Sequence, residues 1–87
     1  MYTMDGLIAM FSEAEAYKAK YVAIKVSMDG SPEDEIIINP AKNISSKIEY
    51  YKNTYDEKLN HKFSKGIKII DFSYGKSFKV IEEDLIY

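Results

Sequence analysis

The segment from Glu35 to Leu59 constrains the fold more than any other. An apolar run, Ile36, Ile37 and Ile38, meets Asn39-Pro40 and then Ile44, Ile48, Tyr51, Tyr55 and Leu59, spaced by four, three, four and four residues. Those spacings place the five side chains on one face of a helix. Asn39 suits the cap position and Pro40 the first turn, so the pattern predicts a strand running into a helix from about Pro40 to Leu59.

Upstream, Leu7, Met10, Phe11, Ala14 and Tyr17 are spaced for a first amphipathic helix over about Met4 to Lys20, with Asp5 near its start. The period changes at Tyr21. Val22, Ile24, Val26 and Met28 alternate with Ala23, Lys25 and Ser27, as in a half-buried strand, and Asp29-Gly30-Ser31-Pro32 reads as a turn. Glu35 to Ile38 then returns as the second strand of an antiparallel hairpin. Asn60 to Gly66 links the long helix to a third strand built on Ile67, Ile69, Ile70, Phe72 and Tyr74 and closed by Gly75.

A right-handed crossover from the second strand through the helix lays the third strand beside the first. The expected fold is α+β: one domain over residues 1–87, element order αββαβ, and a three-stranded antiparallel sheet of order 2-1-3 with helices packed on one face. A short C-terminal element completes it. Ser77 with Phe78, Ile81 and Leu85 favours a helix, while Phe78 and Val80 leave a fourth strand open. The triple isoleucine sends apolar groups to both faces of a strand at the sheet edge. Such an edge calls for cover from the tail or from Met1 to Thr3, or for pairing with a partner.

Eighty-seven residues, 46% of them apolar, suffice for one modest core. The absence of cysteine excludes disulfides, thiolate nucleophiles and thiolate metal sites, and fits a reducing compartment. No leader pattern opens the chain and no apolar run approaches the roughly 20 residues of a bilayer span, so a cytoplasmic location is expected. All twelve basic residues are lysine, and lysine cannot make the bidentate phosphate and guanine contacts of arginine. With a net charge of -2, the composition points neither to a non-specific DNA binder nor to an acidic DNA mimic.

Candidate chemistry is sparse. Gly75-Lys76-Ser77 resembles the end of a phosphate-binding loop, but that loop needs glycine five positions before Gly75, where Ile70 stands. His61 is the single histidine, which excludes a histidine-rich metal site. Asp29, Glu33, Asp34 and Glu35 lack the ligand spacing of a calcium loop, and Glu82, Glu83 and Asp84 read as a solvated run. Asn43-Ile44-Ser45 matches a glycosylation sequon, but Ile44 belongs to the apolar stripe. No catalytic, cofactor or metal residue is assigned, and the expectation is a protein that is not an enzyme. Lys58, Lys62, Phe63, Lys65 and Lys68 form the one basic stretch with an aromatic, the candidate for nucleic-acid contact. The αββαβ order is not the βαββαβ of an RNA-recognition sheet.

Lys20-Tyr21-Val22, Glu35 through Pro40, Glu49-Tyr50-Tyr51, Tyr55-Asp56, His61-Lys62 and Lys65-Gly66-Ile67 resemble small accessory proteins of phages and prophages in low-GC Gram-positive bacteria. The resemblance implies a setting rather than an activity. Accessory phage proteins of this size often bind a host or phage protein, including components of bacterial defence systems. The expected function is therefore protein–protein binding, as in inhibition of a host factor, with nucleic-acid binding through Lys58 to Lys68 as the alternative. Candidate protein-binding residues are Tyr50, Tyr74, Tyr87 and Ile37, because aromatic and apolar anchors dominate interfaces. Glu35 to Asn39 is the strand that would pair two copies in a homodimer.

Overall fold

The computed structural model describes residues 2–86. Its elements are α1 (Met4–Ala16), β1 (Tyr21–Met28), β2 (Glu35–Pro40), a 3-10 turn (Ala41–Asn43), α2 (Ile44–Thr54), β3 (Ile67–Gly75) and α3 (Phe78–Ile86). The strands form one antiparallel sheet of order β2-β1-β3, the expected topology.

The β1 alternation divides the core between two faces. Val22, Ile24 and Val26 join Leu7, Phe11, Tyr51 and Ile69 on the face covered by α1 and α2. Ala23 points the other way, into a smaller cluster with Ile81 and Leu85 of α3, flanked by Tyr21, Ile36 and Ile38. The expectation of helices on one face thus describes α1 and α2, while the tail, a helix, closes the second face. Ser77 Oγ accepts the Val80 N–H at its start (3.3 Å), and Lys25 Nζ donates to the Leu85 carbonyl at its end (2.8 Å).

β3 changes phase midway. Lys25 pairs with Asp71 but Val26 pairs with Ile69, leaving Ile70 as an unpaired bulge residue. Ile67 and Ile69 before the bulge and Phe72 and Tyr74 after it therefore reach the same core despite opposite parity.

Both larger helices are shorter than their periodicity suggests. Thr3 Oγ1 accepts the Gly6 N–H (3.1 Å) and starts α1, which ends at Ala16 rather than Lys20. There Ala19 N–H bonds Ala14 C=O and Lys18 N–H bonds Glu15 C=O, with Lys18 at φ 55°. This two-bond closure satisfies the last carbonyls and stops the helix. Tyr17 consequently leaves the core stripe and is 64% exposed.

Asn39 and Pro40 do not open α2. They stay in β2, opposite Val22 and Tyr21, because β1 is long enough to pair with them, and the helix begins only at Ile44. Its end is likewise earlier than Leu59. Tyr55 turns extended (φ -119°, ψ 149°) and bridges to His61, while Asp56 Oδ1 accepts the N–H groups of Lys58 and Asn60, both at 2.9 Å. This carboxylate-capped turn outcompetes another helical turn. Ile44, Tyr51, Tyr55 and Leu59 still reach the core, the last two from the loop, and Ile48 is half-buried against it.

Among the described residues, no helix is long and apolar enough to cross a membrane.

Candidate interaction surfaces

A chain of aromatic contacts runs from the core to the surface. Phe11 stacks on Tyr51 (ring centroids 5.9 Å apart), Tyr51 meets Tyr50 (5.2 Å) and Tyr55 (5.9 Å), Tyr55 meets His61 (5.1 Å), and His61 meets Phe63 (6.1 Å). α2 carries the tyrosines, and the Asp56 turn swings His61 back over Tyr55. Tyr51 and Tyr55 within the chain are buried and His61 is half-buried, while Tyr50 is 51% exposed and Phe63 77%. Lys47 Nζ lies 5.5 Å from the centre of the Tyr50 ring, within cation–π range.

Burial pushes the Tyr51 hydroxyl up to about 12, with smaller contributions from Tyr55 and Tyr50. Burial, then Tyr50, raises that of Tyr55 as well. A phenol whose folded pKa is raised holds its proton after the unfolded chain has lost it, so stability is full below about pH 10 and falls between about 10 and 12. For Tyr51 the loss is about 3 kcal/mol. Urea titrations across that pH window will show a shallower decline for Tyr51→Phe; a slope equal to that of the parent would refute the assignment.

The basic stretch is divided. Lys65 and Lys68 line a cleft of about 410 Å³ together with His61, Ser64, Ser27 and Asp29. Lys62 Nζ instead donates to the Lys52 carbonyl (2.9 Å) in the last turn of α2, and Lys58 borders Thr3, Asp5 and Glu57. Phe63 stands beyond His61.

Asp29, His61 and Ser64 share the cleft, but His61 Nδ1 accepts the Phe63 N–H (3.1 Å). A serine-hydrolase histidine donates from Nδ1 to its carboxylate, so this ring carries the opposite tautomer. Among the described residues no cluster of His, Asp and Glu could hold a metal ion.

Of the protein-binding candidates, Tyr50 and Ile37 are open to a partner. Ile37 is 38% exposed on β2, on the face opposite Ile36 and Ile38. Tyr74 is half-buried and stacks nearly parallel on Tyr17 (6.4 Å, 9°); burial first, then its hydrogen bond to Glu13, raises its hydroxyl pKa. Tyr87 lies outside the described residues. Tyr2 packs edge-on against Phe72 of β3 (5.1 Å) and its hydroxyl pKa is raised first by a hydrogen bond to Asp71, so Tyr2 lies against β3 and not β2; Met1, also named as a cover for that edge, lies outside the described residues. The sequence reading missed Tyr55 and His61 as the link between Tyr50 and Phe63. Their signal was the run of aromatic side chains through the helix end and loop.

Comparisons with protein-family models, curated proteins and solved structures found no match to the chain.

Proposed function

We propose that the chain is a non-enzymatic binding module that engages another protein through the surface bearing Tyr50 and Phe63. The observation that carries this reading is the aromatic chain itself. Its exposed ends are held by rings anchored in the core, so two large side chains are presented with little ordering left to lose on binding. Aromatic anchors of this kind dominate interface energetics.

The resemblance to phage and prophage accessory proteins supports the setting: a partner encoded by a phage or its bacterial host, met in the cytoplasm, with inhibition of a host factor such as a defence component as the outcome. Self-pairing through Glu35 to Asn39 belongs to the same reading, because β2 leaves an apolar strand at the sheet edge.

Tagged protein will retain a nuclease-resistant protein from a low-GC Gram-positive lysate, and Tyr50→Ala or Phe63→Ala will weaken the purified complex about 30-fold, equivalent to about 2 kcal/mol. Both residues are exposed, so the variants keep the parent circular dichroism. Affinity unchanged in both would reject this surface. The nucleic-acid alternative rests on Lys65 and Lys68 sharing one cleft near Phe63, and requires binding that falls steeply with salt and disappears after nuclease treatment.

A further inference from the structure

We infer that two copies of the chain pair antiparallel through their β2 edges, with Ile37 on the two-fold axis. The pairing deepens the proposed binding role by naming the occupant of one edge, and it does not use Tyr50 or Phe63.

The two outer edges of the sheet differ. The N-terminal half of β3 is already occupied: Ile69 N–H donates to Leu59 C=O (3.0 Å), His61 N–H to Ile67 C=O (2.9 Å), and Asn60 bridges to Lys68. Beyond β2 there is no strand among the described residues. Edge strands are ordinarily blunted along their length by lysine, proline or a bulge. Here the guards, Glu35 and Pro40, stand at the ends and three isoleucines fill the middle.

The hydrogen-bond parity selects the register. Ala41 N–H donates to Lys20 C=O (2.8 Å), in phase with the β1–β2 pairing of Tyr21 with Pro40. Antiparallel pairs alternate between bonded and non-bonded, so Val22–Asn39, Ile24–Ile37 and Val26–Glu35 are the bonded pairs. Ile36 and Ile38 therefore direct their N–H and C=O groups outward, and Pro40, which has no N–H to give, falls in the same outward set.

With Ile37 opposite its own copy, Ile36 faces the other copy's Ile38, and each such pair exchanges both backbone bonds. Sliding the axis to Ile38 sets Ile36 against Pro40 and forfeits a donor. Sliding it to Ile36 sets Glu35 against Ile37 and Asp34 against Ile38. The central register alone opposes Glu35 to Asn39, and it leaves Pro40 opposite Asp34, outside the isoleucine pairs, with Glu33 and Asp34 diagonal to the other copy's Lys42. On the α3 face it joins the half-buried Ile36 and Ile38 of both copies in one apolar row, and on the opposite face Ile37 covers its counterpart. The interface is isologous and closes at two copies.

The chain has no cysteine, so a single introduced thiol reports the register cleanly. A non-bonded antiparallel pair places its Cα atoms about 4.5 Å apart, within disulfide range. In the purified full chain, Ile37→Cys will oxidise to a covalent dimer, whereas Ile36→Cys, which faces Ile38, will not. Sedimentation of the parent will give twice the monomer mass, and Ile37→Lys will weaken the dimer about 100-fold by placing two like charges on the axis. Hydrogen exchange will show the Ile36 and Ile38 amides gaining protection as concentration rises, a readout that needs no variant.

A parent that stays monomeric at submillimolar concentration, crosslinking of Ile36→Cys equal to or above that of Ile37→Cys, or a dimer whose Ile36 and Ile38 amides remain unprotected would each overturn the proposal. None of these results bears on the surface at Tyr50 and Phe63. Conversely, loss of partner capture in Tyr50→Ala leaves the dimer intact.

Discussion

Leu59→Ala will lower the unfolding free energy by about 3 kcal/mol, measured by urea denaturation at neutral pH. Leu59 has 0% of its surface exposed and packs in the core cluster with Phe11, Tyr51 and Ile69. It reaches that site from the turn after α2, with φ at 65°. Alanine removes the side chain and leaves a cavity, but keeps a Cβ and so relieves none of the left-handed backbone strain. Leu59→Gly separates the two effects, losing the same packing while relaxing the backbone. A domain of this size holds on the order of 5–10 kcal/mol, so the alanine loss is a large fraction of the whole. A decrease below about 1 kcal/mol in Leu59→Ala would mean the turn collapses onto the gap and Leu59 does not tie the loop to the core.

Leu59 also marks the boundary of what the sequence could say. Its position four residues after Tyr55 correctly identifies it as a core residue, yet it is not helical. Periodicity reports which side chains are buried, and a tight turn can keep a residue in phase with a helix that has already ended. What ended α2 was Asp56, a residue able to cap two backbone N–H groups at once, and short-range capping of this kind competes with helix without disturbing the apolar pattern. The sheet order was legible because hairpin and crossover rules leave few arrangements. The phase change in β3 was visible in principle as Ile67 and Ile69 followed by Phe72 and Tyr74, an odd-to-even switch that only a bulge reconciles with one buried face. α3 covering the second face was implied by Ile36 and Ile38, which need apolar contact opposite to Ile37.

The surfaces were harder to read than the core. Tyr50 and Ile37 are exposed and Tyr74 is not, because stacking on Tyr17 depends on α1 ending at Ala16. The lysines from 58 to 68 look like one patch in the chain and point to three surroundings in space, since the turn at Asp56 and the bridge between Tyr55 and His61 fold the stretch back on itself. Sequence proximity is a poor guide to shared surface wherever a loop reverses direction within a few residues.

Gly66→Ala tests that reversal and will cost about 3 kcal/mol. Gly66 has φ 82°, where any side chain carries about 1–2 kcal/mol of strain. A Cβ there would also lie 2.5 Å from Asp29 Oδ2 and 2.8 Å from Asp29 Cβ. Rotating the carboxylate away leaves the Cβ–Cβ clash in place, so the backbone must move, and overpacking of this kind costs about 1–3 kcal/mol more. The movement is opposed by the Asp29 N–H to Gly66 C=O bond (2.9 Å), which pins the end of the loop to the β1–β2 turn. A double-mutant cycle separates the contributions: combining Gly66→Ala with Asp29→Gly will recover the steric part and leave about 1 kcal/mol of backbone strain. Because Asp29 and Gly66 both line the cleft with Lys65 and Lys68, the single variant will also displace a carboxylate of that cleft. A Gly66→Ala protein within about 0.5 kcal/mol of the parent would show that the loop moves freely and that the cleft has no fixed shape.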